Sequence, residues 1–485
     1  SRMNPFKTLA SQTAVYGLGT MVPRMLNYML VPIYTRVFAQ EVYGQFTELY
    51  AYIALFLALL TYGMETTFFR HGKGPDFHKV YGNIMTSILS TTAIFVLLFV
   101  LMYRMLAVPI GYQSKSIYVL FTGLVVAADA VAAVPFCVLR QQNLAKRFSM
   151  IKIANVCTNI ACVVFFLLVI PDQATAWANR WFGVETGLLT WVFVSNLIAS
   201  LLNLVLLMPQ LKQIKLQYDR DLMKKLLGYS IPIMLISLIG MINEVADKLA
   251  VKYLVADKAG AMAQLGIYGA NYKLAVLMTI FVQMFRYASE PFFFSKSEDR
   301  NSPKLFADVM TYFVIFGLLI FLGIVLYIDF FGLFIGEEFR EGLDIVPIVL
   351  LANLFLGIVF NLSIWYKLSD RTSSGTVITA VGACVSVACF VILIPVIGYW
   401  GAAIAHLACY SVMMVVSFAW GQKVYPIPYN IRRILCYIVF ALALYVLSVV
   451  LKPENKVLMY ALNTCYLLLF CAVAVKMDLR KALKN

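Results

Sequence analysis

Stretches of about twenty apolar residues recur fourteen times along this 485-residue chain, each long enough to cross the hydrocarbon core of a bilayer. In lipid every backbone N–H and C=O must be satisfied internally, so stretches of this length are expected to be helices. The expected spans cover about 10–33, 43–64, 81–103, 116–139, 149–170, 187–208, 228–254, 266–290, 308–334, 344–366, 375–397, 399–420, 431–450 and 456–475. Pro395, Gly398 and Gly401 separate the eleventh from the twelfth, where a proline followed by glycines permits a tight return. With 62% hydrophobic and 13% charged residues, the chain lies outside the range of soluble domains. The fold class is therefore an all-α polytopic membrane protein.

The excess of 39 Lys and Arg over 24 Asp and Glu could suggest nucleic acid, but its distribution excludes that partner. Basic residues crowd alternate loops: Arg70, Lys73 and Lys79, then Arg140, Lys146 and Arg147, then Lys212 to Lys225, and finally the tail from Lys476. The intervening loops are sparse in them. The positive-inside rule makes the rich set cytoplasmic, which places both termini in the cytoplasm and requires an even number of spans. The first span reads as a retained helix rather than a cleavable signal. All nine cysteines fall inside spans, so they read as small buried hydrophobes rather than a disulfide framework or metal site.

Self-comparison gives a second constraint. Tyr43–Gly44 recurs as Tyr268–Gly269, Glu65 with Phe68 and Phe69 as Glu290 with Phe293 and Phe294, and Ile110–Gly111 as Ile335–Gly336, all at an offset of 225. Six spans separate the copies, so they share one orientation, and a parallel repeat implies two six-helix lobes with the substrate site between them. The expected organisation is an N-lobe over 1–208, a cytoplasmic linker over 209–227, a C-lobe over 228–420, and an added helix pair, spans thirteen and fourteen with a tail, over 421–485. Alternating Leu, Ile and Lys in the linker suit a basic amphipathic helix at the membrane surface.

Ionised groups inside spans are the best pointer to function, because each costs on the order of 3 kcal/mol at the bilayer centre. Arg24 sits within the first span, and Glu244, Asp247 and Lys248 crowd the seventh. With a longer loop allowed after span seven, Arg24 aligns with Asn243, so the first helix of each lobe carries polar groups at one depth. At 100° per residue Arg24 shares a face with Thr20, Asn27 and Tyr28; Asn243 and Asp247 share one, and Glu244 and Lys248 the adjoining one. The expected cavity residues are Arg24, Asn27, Asn243, Lys248, Lys252 and Lys273, with Asp247, Glu244 and Asp129 as candidates for a coupling ion. The competing reading is structural: Glu244 and Lys248 neutralise each other while Arg24 bridges Asp247. Arg24 and Lys248 against Glu244 and Asp247 sum to zero, so the cavity is basic only if Lys252 and Lys273 face it. Glu65 and Glu290 suit structural pairing with Arg70 or Arg286, His406 a satisfied core histidine, and Trp177 and Trp181 interface anchors.

There is no Walker loop, no zinc-binding His pair at helical spacing, and no Ser, His and Asp grouping outside the lipid. Neither an enzyme nor a cofactor or metal is expected. A glycosyltransferase or polymerase would need a large acidic extramembrane loop, and the longest, 171–186, offers only Asp172 and Glu185.

The run from Leu9 through Arg70, with Asn27, Pro32, Tyr34, Arg36, Tyr43, Gly44, Leu49–Tyr50 and Gly63–Met64–Glu65, resembles the Wzx-type polysaccharide flippases of the multidrug, oligosaccharidyl-lipid and polysaccharide exporter superfamily. The start of span seven, Leu226 to Ser230 with Pro232, is similar to that family's second-lobe start. The resemblance implies an inner-membrane flippase for undecaprenyl-diphosphate-linked repeat units, of O-antigen or lipopolysaccharide type, working by alternating access. It implies as partners the lipid-linked oligosaccharide, membrane lipids, a proton or sodium ion, and polysaccharide polymerase machinery. Arg24 matches the family's cavity cations, whereas the several cavity arginines of lipid II flippases are missing. The alternative is a cation-coupled multidrug antiporter of the same superfamily, using Asp247 and Glu244.

Overall fold

The structure, a computed structural model, describes Pro5, Lys7 and residues 21–484, without the side chains of Tyr287, Glu290, Pro291, Phe294 and Ser295. Among the described residues every regular element is a helix. Twelve helices are long and apolar enough to cross a membrane, and a bent pair makes a thirteenth. The expected count of fourteen would need the 10–33 span, whose first part, 10–20, lies outside the described residues. The other expected spans fall on helices, the seventh and eighth of them broken.

The chain divides into two compact units. The unit Val22–Leu249 holds α1 (Gln40–Thr61), α2 (Met64–His71), α3 (Phe77–Ala107), α4 (Ser116–Gln141), α5 (Ala145–Val164), α6 (Pro171–Phe182), α7 (Leu189–Leu206) and α8 (Arg220–Glu244). Its core gathers Met64, Phe68, Tyr81, Ile84, Val134 and Val138 around Leu226 of α8. Outward, α3 exposes Ile94, Leu97, Leu101 and Met105, the pattern of a helix whose solvent is acyl chain. The predicted loop 171–186 is largely the helix α6, where Trp177 and Trp181 stack at 5.7 Å, both exposed.

The 209–227 segment departs from the expected amphipathic helix. Only Met208–Lys212 is helical; the chain then runs extended along α3 until Arg220. Gly82 makes this possible, because a Cβ there would lie 2.2 Å from the Lys215 carbonyl oxygen. The Gln217 amide donates to Thr86 Oγ1 (3.1 Å), the Asp219 amide to Asn83 Oδ1 (2.8 Å), and Lys79 pairs with Asp219 at 3.0 Å. Side chains on α3 thus replace the hydrogen bonds that a helix would have made for itself. Asp219 then caps α8 by accepting from the amides of Asp221 and Leu222. This strap and α8 lie in the first unit, and the division between units falls after Leu249.

The helix α9 (Ala246–Leu254) carries the chain into the unit built from Ala250–Asn485. There α10 (Ala261–Lys273) and α11 (Val276–Lys296) form the bent pair, followed by α12 (Ser302–Val325), α13 (Val346–Leu362), α14 (Thr372–Ile397), α15 (Tyr399–Val424), α16 (Ile431–Val450) and α17 (Lys456–Ala474). The return between α14 and α15 is the one that Pro395, Gly398 and Gly401 predict. Gly398 has φ +65°, and a Cβ on Gly401 would press on the Ile394 amide nitrogen at 2.7 Å. Cys137 and Cys409 are buried, but Cys157, Cys384, Cys436 and Cys465 are exposed on helices, correcting the expectation that all are buried. A small apolar thiol is tolerated equally well against lipid.

Candidate substrate and ion site

The seventh span, expected as one helix over 228–254, is broken. Its first part, α8, ends at Glu244, Val245 adopts φ −125° and ψ −28°, and α9 starts at Ala246. Neither proline nor glycine stands at the break, so the nearest signal in the sequence is the charge cluster itself. The break places Asn243 and Glu244 in the last turn of one helix and Asp247 and Lys248 in the first turn of the next. A carboxylate in a first turn meets the positive end of the helix dipole, which favours Asp247 there. Discontinuous helices with polar groups at the interruption are how transporters place ion and substrate sites at membrane depth.

Burial sorts the four residues as the helical wheel does. Asn243 and Asp247 are buried, at 4% and 0% exposure, whereas Glu244 is exposed and Lys248 half-buried. Each of the four makes at least one hydrogen-bond, ionic or ring contact. Arg24 and Asn27 lie in the helical stretch 21–28, both exposed. Asn27 accepts from Asn159 Nδ2 of α5 at 3.4 Å. Asn159 was missed by sequence reasoning; Asn155 and Asn159, one turn apart in an apolar span, were the available signal, and Asn155 donates to the Ala199 carbonyl at 2.8 Å. Thr20 lies outside the described residues.

Lys252 and Lys273 belong to the other unit. Lys252 Nζ lies 5.1 Å from the Tyr253 ring centroid, and Lys273 closes α10 at the 51° bend. His406 is buried between the rings of Tyr272 and Tyr410, each 5.6 Å away, as a core histidine should be. That unit also holds a cavity of about 380 Å³ lined by Asp329, Arg340, Glu341, Asp344, Tyr445 and Lys452, with Lys452 paired to Asp329 at 3.4 Å.

The third ion candidate, Asp129, lies within α4 among the buried Ala127, Ala128 and Ala130. The expected pairing of Glu65 with Arg70 is not what forms. Arg70 lies over the Tyr229 ring at 5.7 Å, while Glu65 accepts from Cys137 Sγ at 3.8 Å. Arg286 lies over Phe360 at 4.1 Å, and the Glu290 side chain is outside what is described. Among the described residues no three His, Cys, Asp or Glu side chains are grouped to hold a metal.

Residues 9–297 match the family described as polysaccharide biosynthesis protein. The chain belongs to that family. Its fold is similar to that of a lipid II flippase, MurJ, in an inward closed conformation, with a TM-score of 0.70 at 14% identity over 96% of this chain and 99% of that one. It is also similar to the MATE multidrug transporter DinF-BH (TM-score 0.60, 16% identity, 86% and 96% covered) and to an outward-facing MATE transporter of the MOP superfamily (0.56, 14%, 87% and 96%). No curated protein sequence matches the chain. At these identities the likeness is one of fold, and the fold is that of flippases and transporters.

Proposed function

We propose that this family member is a flippase for lipid-linked oligosaccharides, carrying undecaprenyl-diphosphate-linked repeat units from the cytoplasmic to the periplasmic leaflet of the inner membrane by alternating access. The observation that carries the reading is the broken helix at Val245, flanked by Asn243, Glu244, Asp247 and Lys248, in a chain of the polysaccharide biosynthesis family. A diphosphate–sugar headgroup needs a wetted path with cations and amide donors, while its polyprenyl tail stays in lipid. Arg24 would hold the diphosphate through charge-assisted hydrogen bonds, and Asn27 and Asn243 would bind sugar hydroxyls. Lys248, Lys252 and Lys273 would add positive potential along the path. Asp247, Glu244 and Asp129 are the candidates for a coupling ion.

The proposal keeps the two-lobe organisation, with the last two spans as an addition to it and both termini cytoplasmic. An O-antigen-type glycan and its polymerase machinery are the finer expectations. In a strain lacking its own flippase, Arg24→Ala at normal protein level should abolish surface polysaccharide, with lipid-linked repeat units accumulating inside. Unchanged polysaccharide would remove Arg24 from the site.

The fold of the MATE transporters supports a second reading, a cation-coupled multidrug antiporter. It predicts drug hypersensitivity of a deletion strain with intact surface glycans. The family match favours the flippase.

A further inference from the structure

The cavity of about 380 Å³ in the Ala250–Asn485 unit shares no residue with the broken-helix site, and it is built where α16 and α17 pack against α12. The end of α12 supplies one wall, the last turns of α16 and the first of α17 a second, and a 3₁₀ helix, Glu337–Ile345, the third. Aromatic contacts fix the first two walls on each other. Phe321 of α12 meets Tyr445 of α16 edge-on at 6.0 Å, and Tyr327 stacks on Tyr460 of α17 at 6.0 Å. The Asn463 side chain, only 5% exposed, donates to the Leu326 carbonyl oxygen at 2.7 Å and is thereby fixed in the lining. The volume lies in the range of small-molecule sites, roughly 300–1,000 Å³.

The third wall carries most of the charge. Three residues per turn bring side chains at i and i+3 into line, so Glu341 and Asp344 stand one above the other on the 3₁₀ helix, both exposed and both lining the cavity. Two carboxylates so stacked favour a cation between them. At nine residues this 3₁₀ helix is itself unusual, since runs beyond about four are uncommon. Arg340, the neighbour of Glu341, is pinned through Nε, which donates to the carbonyl oxygens of Gly332 (3.0 Å) and Ile335 (3.2 Å). That leaves the fork of terminal nitrogens, whose planar shape suits a phosphate, to a ligand. Lys452 pairs with Asp329 at 3.4 Å with about half of each side chain exposed, a weak pair that a phosphate can draw apart.

The lining is close to balanced, with three carboxylates against two cations. A polyanion would meet the carboxylates and a simple cation the guanidinium, whereas a zwitterion satisfies both signs. Beside the cavity Val446, Val449 and Val450 of α16, and Val457 and Leu458 of α17, are each more than half exposed. On spanning helices such residues meet acyl chains, so the occupant can carry an apolar part beside its charged head. At the offset of 225 the first unit has Arg104, Ser116 and Val119 in place of Asp329, Glu341 and Asp344, and the 3₁₀ turn there is only Gln113–Lys115. The equivalent segment therefore folds without these acids.

We propose that this cavity binds the headgroup of a zwitterionic phospholipid with a primary amine, of the phosphatidylethanolamine class. Arg340 and Lys452 hold the phosphodiester, Glu341 and Asp344 take the ammonium two carbons away, and the acyl chains lie along α16 and α17. A quaternary amine carries the same charge but has no N–H to donate, so the stacked carboxylates select the primary amine. In the orientation proposed above the site opens to the periplasmic leaflet. It is independent of the cargo: α16 and α17 gain a resident lipid whatever the broken-helix site carries.

The test titrates the full-length protein, stripped of lipid in detergent, with phosphatidylethanolamine, phosphatidylcholine and phosphatidylglycerol, counting bound lipids by native mass spectrometry. Phosphatidylethanolamine should bind first, about ten-fold more tightly than phosphatidylcholine, the worth of one charge-assisted hydrogen bond. Glu341→Gln with Asp344→Asn should lower its affinity to that of phosphatidylcholine and leave the latter unmoved. Lys452→Gln should weaken both zwitterions by about five-fold, and Lys481→Gln, on the tail, should change neither. Glycerophosphoethanolamine, the same head without chains, should compete about ten-fold more weakly or worse. Equal affinity for the two zwitterions, an amine preference that survives the carboxyl changes, or a preference for phosphatidylglycerol would overturn the site. Glycerophosphoethanolamine binding as tightly as the lipid would overturn the lipid assignment. Should the double variant not fold, Asp344→Asn alone carries the same comparison.

Discussion

The second span of each repeat is interrupted, but in different places and by different means. In the first, the break between α1 and α2 lies at Tyr62–Gly63, with φ of 30° and 72°. Gly63 also allows close approach of α8, because a Cβ there would meet the Ser230 carbonyl oxygen at 2.5 Å. Tyr62 is held in its left-handed conformation by a hydrogen bond between its hydroxyl and Ser87. At the offset of 225 the second repeat has Ala288 in place of Gly63, buried inside the continuous α11. Its 51° bend comes thirteen residues earlier, at Leu274–Ala275. There the chain tightens through Leu274 N–H to Asn271 O (3.1 Å) and Ala275 N–H to Tyr272 O (3.2 Å), bonds that ordinary residues can make. The corresponding Leu49–Tyr50 is unbroken helix. A shared sequence pattern therefore fixes the helices of a repeat, while each unit positions its own bend according to what packs against it.

The same contrast holds for the interiors, and it can be broken experimentally. Leu354→Asp, which transplants the acid of one repeat into the apolar core of the other, should destabilise by more than about 4 kcal/mol in thermal unfolding, because the carboxyl would be fully buried among apolar groups. The reverse change, Asp129→Leu, should be close to neutral in stability, since an apolar side chain suits the buried Ala127, Ala128 and Ala130 around it. A large loss there would make Asp129 a structural necessity. Next in size, Gly63→Val should cost about 3 kcal/mol, combining a left-handed backbone with a clash on Ser230. Ala288→Gly, at the matching position, should cost only about 1 kcal/mol, the helix-interior penalty of glycine. Equal effects at the two sites would erase the distinction between the breaks.

The smallest effect concerns the strap before α8. The hydrogen bond from Lys79, followed by that from the Leu222 amide, holds the Asp219 carboxyl below its usual range. A depressed carboxylate contributes stability above its unfolded pKa and loses it as pH falls through the folded value. Relative to the intrinsic rate at each pH, protection of the Asp221 and Leu222 amides against hydrogen exchange should therefore fall below about pH 4, and should change little with pH in Asp219→Asn.

Much of this was legible in the sequence. Span boundaries followed from apolar length, and the α14–α15 return from Pro395 and Gly398. Of the site, the charged residues were visible, as were the two faces of span seven. The break at Val245 was not, because no residue type there demands it. The Asn27–Asn159 contact was hidden too, since the two residues meet only when distant helices pack. Over 209–227 periodicity is ambiguous: alternating Leu and Lys suit a surface helix as well as an extended segment, and Asn83 and Thr86 on another helix decided between them.

The sequence by itself determined the solvent of this protein and its helices, because these depend on local hydropathy and on the need of each backbone group in lipid for a nearby partner. Tertiary structure alone decided where spans seven and eight break, which asparagines meet, and that Lys152 lies over the Phe136 ring. Those outcomes depend on side chains far apart in the chain, whose energies are set by the company that packing gives them.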